Sequence, residues 1–264
     1  MADIFEELLD LKRRRVSFCM ATIVFAGGST PRKAGARMLV LADGRQKGSI
    51  GGGALERQVM QDCISALEQG RCILRSIDMD GEKAVMACGG KVRVFIEPFP
   101  PPAVLFILGA GHIGKALFAL SAFCGMDAVL IDQSMEALGQ AKDARKAGRV
   151  VHVANFSSLP EETRILPSDF VVIASGTHED DLKCVRTALK TEAGFIGLVG
   201  SRKKKGTIMD KLRLEGTEEK DLERISCPVG LPIGAQGPEE IAVSIIAQLI
   251  RHSRLPEAGI NAAA

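Results

Sequence analysis

An apolar run from Val104 to Leu108 ends directly in Gly109, and Gly111 and Gly114 follow in the spacing GxGxxG. This order of strand, glycine turn and helix start constrains the chain more than any other feature in it. The first glycine admits a tight turn, the second lets a phosphate approach the backbone, and the third lets helix and strand pack closely. The amino terminus of the helix then faces the anion. Asp132 ends the next apolar run, 18 residues after Gly114. There it can accept hydrogen bonds from a ribose and disfavour a 2'-phosphate, which predicts NAD or another adenine nucleotide over NADP. A plain solvent-facing strand end is the structural alternative for Asp132. His112, inside the turn, reads as a phosphate contact or as a packed surface residue.

After the glycine turn the pattern is that of repeated βα units. Strands are expected at 104–108, 128–131, 149–153, 170–174 and 195–199, with helices at about 112–123 and 237–251. A parallel sheet covered by helices accounts for this half. Its later strand ends also border the expected crevice, which brings in Ser175, Gly176, Thr177, His178 and the acidic Glu179 to Asp181. Thr177 reads equally as a helix cap. The strand before Gly200 and Ser201 leads into Arg202 and Lys203, which can neutralise a phosphate. Lys204 and Lys205 read as a solvated helix face.

A long segment precedes this fold and needs its own account. Residues 3–14 carry Ile4, Leu8 and Leu11 on one helical stripe, Ser17 to Phe25 reads as a strand, and Arg37 to Leu41 runs into an AspGly turn. A helix is expected from about Ala54 to Gly70, and short strands at 72–77 and 91–96. Prolines at 98 and 100–102 interrupt both helix and central strand. The expected fold is therefore α/β: a smaller mixed α/β domain over 1–97, a proline-rich linker over 98–102, and a Rossmann-like parallel-sheet C-terminal domain over 103–264.

Two glycine cassettes stand out in the first domain, Gly27 to Gly35 and Gly48 to Glu56. Gly27, Ser29, Arg32, Ser49, Gly51, Gly52 and Gly53 can present backbone, hydroxyl and guanidinium donors to an anion. Glu56 reads as a first-turn carboxylate that stabilises its helix. Cys88, before Gly89 and Gly90, reads equally as a thiolate near donors or as a small buried hydrophobe.

Composition narrows the field. With 34 basic and 32 acidic residues the net charge is +2, which supplies no field for nucleic acid or for an anionic membrane. No apolar run reaches the length of a membrane span, and the acidic amino terminus is unlike a signal peptide. A cytoplasmic protein is expected. Seven scattered cysteines without a CxxC pair and four histidines without HExxH favour neither a disulfide framework nor a hydrolytic zinc site.

In order, ATIVxxxGSTPRxxGAxML, GSIGGGxLE and CGGxVxVxxEP, then LGAGHIGKAL, SGTHEDDL, GLVGSRKK and CPVGLPIGAQGPEEIAVSI, resemble the XdhC/CoxI family over nearly the whole chain. The resemblance implies a maturation chaperone without turnover of its own. Such a protein binds molybdenum cofactor (molybdopterin), supports its sulfuration with a cysteine desulfurase, and delivers it to a xanthine dehydrogenase-type molybdenum hydroxylase apoenzyme. It also implies a homodimer. The family often places a cysteine where Ala54 stands here, which leaves Cys88, or no protein thiol, near the metal. On this reading the cofactor and the crevice meet between domains, bordered by Cys88, His112 and Ser201. The competing readings are an NAD-dependent oxidoreductase, for which no acid-base pair can be assigned, and an NAD- or adenylate-sensing regulatory protein.

Overall fold

The computed structural model describes residues 3–78, 90–141, 148–157, 159 and 163–254. The chain divides into two compact units, Met1–Pro102 and Ala103–Ala264.

The first unit is built on a five-stranded antiparallel sheet of order β3-β2-β1-β5-β4. Helix α1 (Ile4–Arg13) opens on a capping box between Asp3 and Glu6 and lays Leu11, Leu8 and Ile4 against Phe18, Leu39 and Leu41. Strand β1 (Phe18–Gly28) is longer than its apolar pattern, because pairing with the last strand carries it through Gly27 and Gly28, with an irregularity between Ile23 and Phe25. Strand β2 (Arg37–Leu41) turns at Asp43 and Gly44 into β3 (Gln46–Gly48). All three residues of β3 are exposed, so no alternation marked it in the sequence. Helix α2 (Gly53–Gln69) buries Leu55, Val59, Cys63 and Ala66 on one face against Ile23, Val40, Val92 and Val94, and Gly70 closes it in a left-handed conformation.

Strands β4 (Ile73–Asp78) and β5 (Gly90–Phe99) complete the sheet. Strand β5 runs two residues into the segment expected as linker, with Pro98 opposite Cys19 and Phe99 stacked on Phe18. The β4 ladder has ended at Ile73 and Ile96, so Pro98 has no strand on that side to miss its N–H. Cys88 lies outside the described residues.

The second unit carries a six-stranded parallel sheet of order β11-β10-β9-β6-β7-β8. Its elements in chain order are β6 (Val104–Leu108), α3 (His112–Phe123), β7 (Asp127–Asp132), α4 (Met135–Gly139), β8 (Gly148–His152), β9 (Phe170–Ile173), α5 (His178–Leu189), β10 (Phe195–Leu198), α6 (Arg202–Leu214), α7 (Glu219–Glu223), β11 (Ile225–Ser226) and α8 (Pro238–Arg254). The order is that of a doubly wound nucleotide-binding sheet, in which the chain reverses direction across the sheet between β6 and β9. Both faces are covered. Val104, Phe106 and Leu108 of β6 enter the core beneath α5 and α6, and Leu105 and Ile107 the core beneath α3 and α8. All five are buried, the reason β6 reads as a continuous apolar run. Among the described residues, no helix is long and apolar enough to cross a membrane.

Candidate functional site

In the second unit the glycine turn sits at the switch between β6 and β9. Gly109 has φ +118°, and a Cβ there would collide with the Ala174 carbonyl at the end of β9. A Cβ on Gly114 would collide with the Gly109 carbonyl, so α3 can approach β6 only through a glycine. A Cβ on Gly111 would meet only the Ala174 oxygen, at 3.9 Å, so the space on that side of the turn is open. The turn is tied to β7 by Gly109 N–H donating to the Ile131 carbonyl at 2.8 Å.

Helix α3 begins without a side-chain cap and without an acid in its first turn. Helices α4, α5 and α6 of the same unit are each capped by their own residue, Ser134, Thr177 and Ser201. The first N–H groups of α3, unlike those of these three helices, are therefore not taken by a capping side chain. Asp132 is aimed at the turn: its carboxylate accepts from Ala110 N–H at 2.5 Å and Ser134 N–H at 2.7 Å. Four lone-pair directions leave it capacity for a ribose hydroxyl. Gln133 donates to Asp180 at 3.3 Å, linking the β7 end to the first turn of α5.

Two residues, Ser201 and Lys204, take places the sequence pattern did not assign. Ser201, expected to contact a cofactor, accepts from Lys204 N–H at 3.2 Å and is the amino-terminal cap of α6. Lys204, expected in solvent, folds back over Gly200 instead. Its ammonium donates to the Val199 carbonyl at 3.1 Å and pairs with Asp181, a carboxylate 0% exposed. Ser175 donates to the other Asp181 oxygen at 2.7 Å. The nearby Cys184 thiol is pushed up by burial and by the Asp181 charge, and Cys227 is raised by burial against the opposing pull of Lys205 and Lys204. His112, the first residue of α3, is exposed and lines a largely apolar groove of about 650 Å³ between α3 and α8, with Lys115, Leu120, Phe123 and Val243.

In the first unit the two glycine cassettes come together. A Cβ on Gly51 would lie 2.5 Å from Cγ of Pro31, and one on Gly90 2.6 Å from the Ser29 carbonyl and 2.7 Å from that of Gly27. The loop carrying Ser29 and Arg32 thus lies against both Gly51 and Gly90. The donors expected to grip a ligand are nevertheless largely engaged within the chain. Glu56, 8% exposed, accepts from Ser49 Oγ at 2.7 Å and from the N–H groups of Ile50, Gly51 and Gly52 at 3.1, 3.3 and 2.8 Å, while Gln46 bonds its second oxygen at 3.0 Å. Burial works to raise this carboxyl, but the bonds from Ser49, Gln46, Gly52 and Ile50 prevail and hold it below the ordinary glutamate range. The nest is filled by the protein's own anion. Ser29 and Arg32 are exposed, and their side chains have no partner among the described residues.

Residues 105–249 match the model of the XdhC Rossmann domain, and residues 11–78 that of the XdhC and CoxI family. The chain belongs to the XdhC/CoxI family. Within it, this XdhC/CoxI chain is 34% identical over 256 residues to the uncharacterized protein YqeB of Escherichia coli K12, a match covering 94% of the chain and 46% of YqeB. The chain thus spans less than half the length of that relative. It is 24% identical over 328 residues to a probable xanthine dehydrogenase subunit from Bacillus subtilis 168, covering 94% and 97% of the two. A crystal structure of a xanthine dehydrogenase from Bacillus halodurans is similar over 98% of each chain, with a TM-score of 0.51 and 23% identity, a likeness of fold. Among the described residues of this XdhC/CoxI chain, no three His, Cys, Asp or Glu side chains are grouped to hold a metal ion.

Proposed function

We propose that the chain is a cytoplasmic maturation chaperone for a xanthine dehydrogenase-type molybdenum hydroxylase. It holds molybdenum cofactor, supports its sulfuration with a cysteine desulfurase, and passes it to the apoenzyme, acting as a homodimer. The observation that carries this reading is the double family match, one in each unit. The name of the Bacillus subtilis relative agrees with it.

The first unit fits the phosphate-bearing edge of such a cofactor, and of its described cysteines only Cys72, just before β4, is exposed. Arg32 and Ser29 supply the free cation and hydroxyl. Ala54 stands at the family's cysteine position, and Cys19 and Cys63 are buried in the core. Glu56 keeps the Gly48–Gly52 loop in the shape against which Pro31 packs. When bound, the cofactor supplies the molybdenum centre that the client uses. This chain binds and shelters it.

A second reading is supported by the uncapped α3 terminus and the oriented Asp132: an adenine nucleotide occupies the crevice, as a regulatory ligand or as an NAD cosubstrate. Anaerobic purification from a host that makes molybdenum cofactor, followed by metal analysis and mass spectrometry of released pterin and nucleotide, decides between them. Near-stoichiometric molybdopterin that is lost in Arg32→Ala is the expected result. Nucleotide without pterin would sink the cofactor reading.

A further inference from the structure

We infer that Lys204, held by Asp181 and Ser175, is a second ligand subsite of the crevice, receiving an oxygen acceptor at the far end of a dinucleotide-sized ligand. This rests on the crevice reading of the second unit.

The three side chains come from separate places in the chain and converge at the carboxyl ends of β9 and β10. Ser175 follows Ala174, the residue whose carbonyl Gly109 packs against. The trio therefore borders the turn that takes the first phosphate, on the side away from β7 and Asp132.

An ammonium has three donors; that of Lys204 donates to the Val199 carbonyl and stands in an ion pair with Asp181. The side chain is 18% exposed, so it is neither sealed in the core nor free in solvent, and a ligand oxygen can take up its remaining donor capacity. The route of the side chain is itself specified: Cδ of Lys204 passes 2.5 Å from where a Gly200 Cβ would stand. Any other residue at 200 would force the lysine outward.

Stability does not explain the arrangement. A buried ion pair gains little over apolar residues of the same volume, because both ions must first be desolvated. Asp181, fully buried, instead fixes the direction of the lysine. Ser175 donates to one carboxylate oxygen and Asp181 is 0% exposed, so the acid itself does not meet the ligand. Arg202, Lys203 and Lys205 have no carboxylate partner among the described residues, and they bias the neighbourhood toward an electron-rich ligand end.

The test is calorimetric titration of the full chain with AMP and with ADP-ribose, the second of which extends beyond the first phosphate. Lys204→Met alone strands a buried carboxylate, so the informative variant is Lys204→Met with Asp181→Asn, checked by thermal melting. Expected is an AMP affinity within about twofold of wild type and an ADP-ribose affinity reduced by about tenfold, the loss of one charge-assisted bond. Equal weakening of both ligands, or of neither, overturns the inference. So does a double variant that no longer melts cooperatively, which would make the trio an element of the fold. Binding of neither nucleotide by the wild-type chain would overturn the crevice reading itself.

Discussion

Glu56 does for the first unit what a bound anion does elsewhere, since one carboxylate gathers three backbone N–H groups, a hydroxyl and an amide. Glu56→Ala leaves buried donors without an acceptor and should cost about 2–4 kcal/mol, read from urea unfolding. Glu56→Gln keeps an acceptor and removes the charge, so it isolates the pH dependence. The folded carboxyl lies below its unfolded value, so its stabilisation is complete above about pH 4.3, the ordinary glutamate value, and is lost as pH falls through the folded value. The difference in melting temperature between wild type and Glu56→Gln should therefore be constant near neutrality and shrink in acid. A difference that grows in acid would show that Glu56 is not the group responsible. In the second unit, Gly114→Ala places a methyl against the Gly109 carbonyl, with no flexible side chain to give way. The expected loss is about 3 kcal/mol or more, measured by denaturant unfolding.

At the scale of elements, helix beginnings differ in whether their own side chains cap them. Ser201 and Thr177 complete α6 and α5 with their own oxygens, whereas α3 starts bare behind Gly111. Ser201→Ala should cost about 1 kcal/mol of stability and leave pterin and nucleotide content unchanged. Loss of bound ligand in a stably folded Ser201→Ala protein would show that Ser201 contacts the ligand as well as capping α6. Elements with an apolar period were legible in the sequence: α1, α2, β6, α3 and α8 each show the stripe or run that their burial requires. Strand β3 is fully exposed and β11 has only two residues, and each is held by its neighbour in the sheet through backbone bonds. Such pairing leaves no side-chain signature.

At the scale of the molecule, each unit owns a core. The second buries one cluster on each face of its sheet, and the first closes α2 and α1 over the strands they cover. A protein limited to residues 103–254 is accordingly expected to fold, with a cooperative melt and α/β circular dichroism. Absence of a cooperative melt would show that its core depends on the first unit.

Residue order alone specifies the doubly wound sheet, the glycine turn with its acid, and the family, because these rest on local period and on glycines that no other residue replaces. How the polar groups are used depends instead on tertiary packing. Ser49, Gly51 and Gly52 hold donors that suit a phosphate, yet Glu56, one helical turn into α2, reaches them first. Lys204 stands in a run of cations that looks solvated, yet Asp181, 23 residues earlier, draws it inward. A hydrogen-bonding group is satisfied by whatever lies within about 3 Å of it. That neighbour is set by the packing of distant segments, so residue type alone marks the capacity to bind and not the partner.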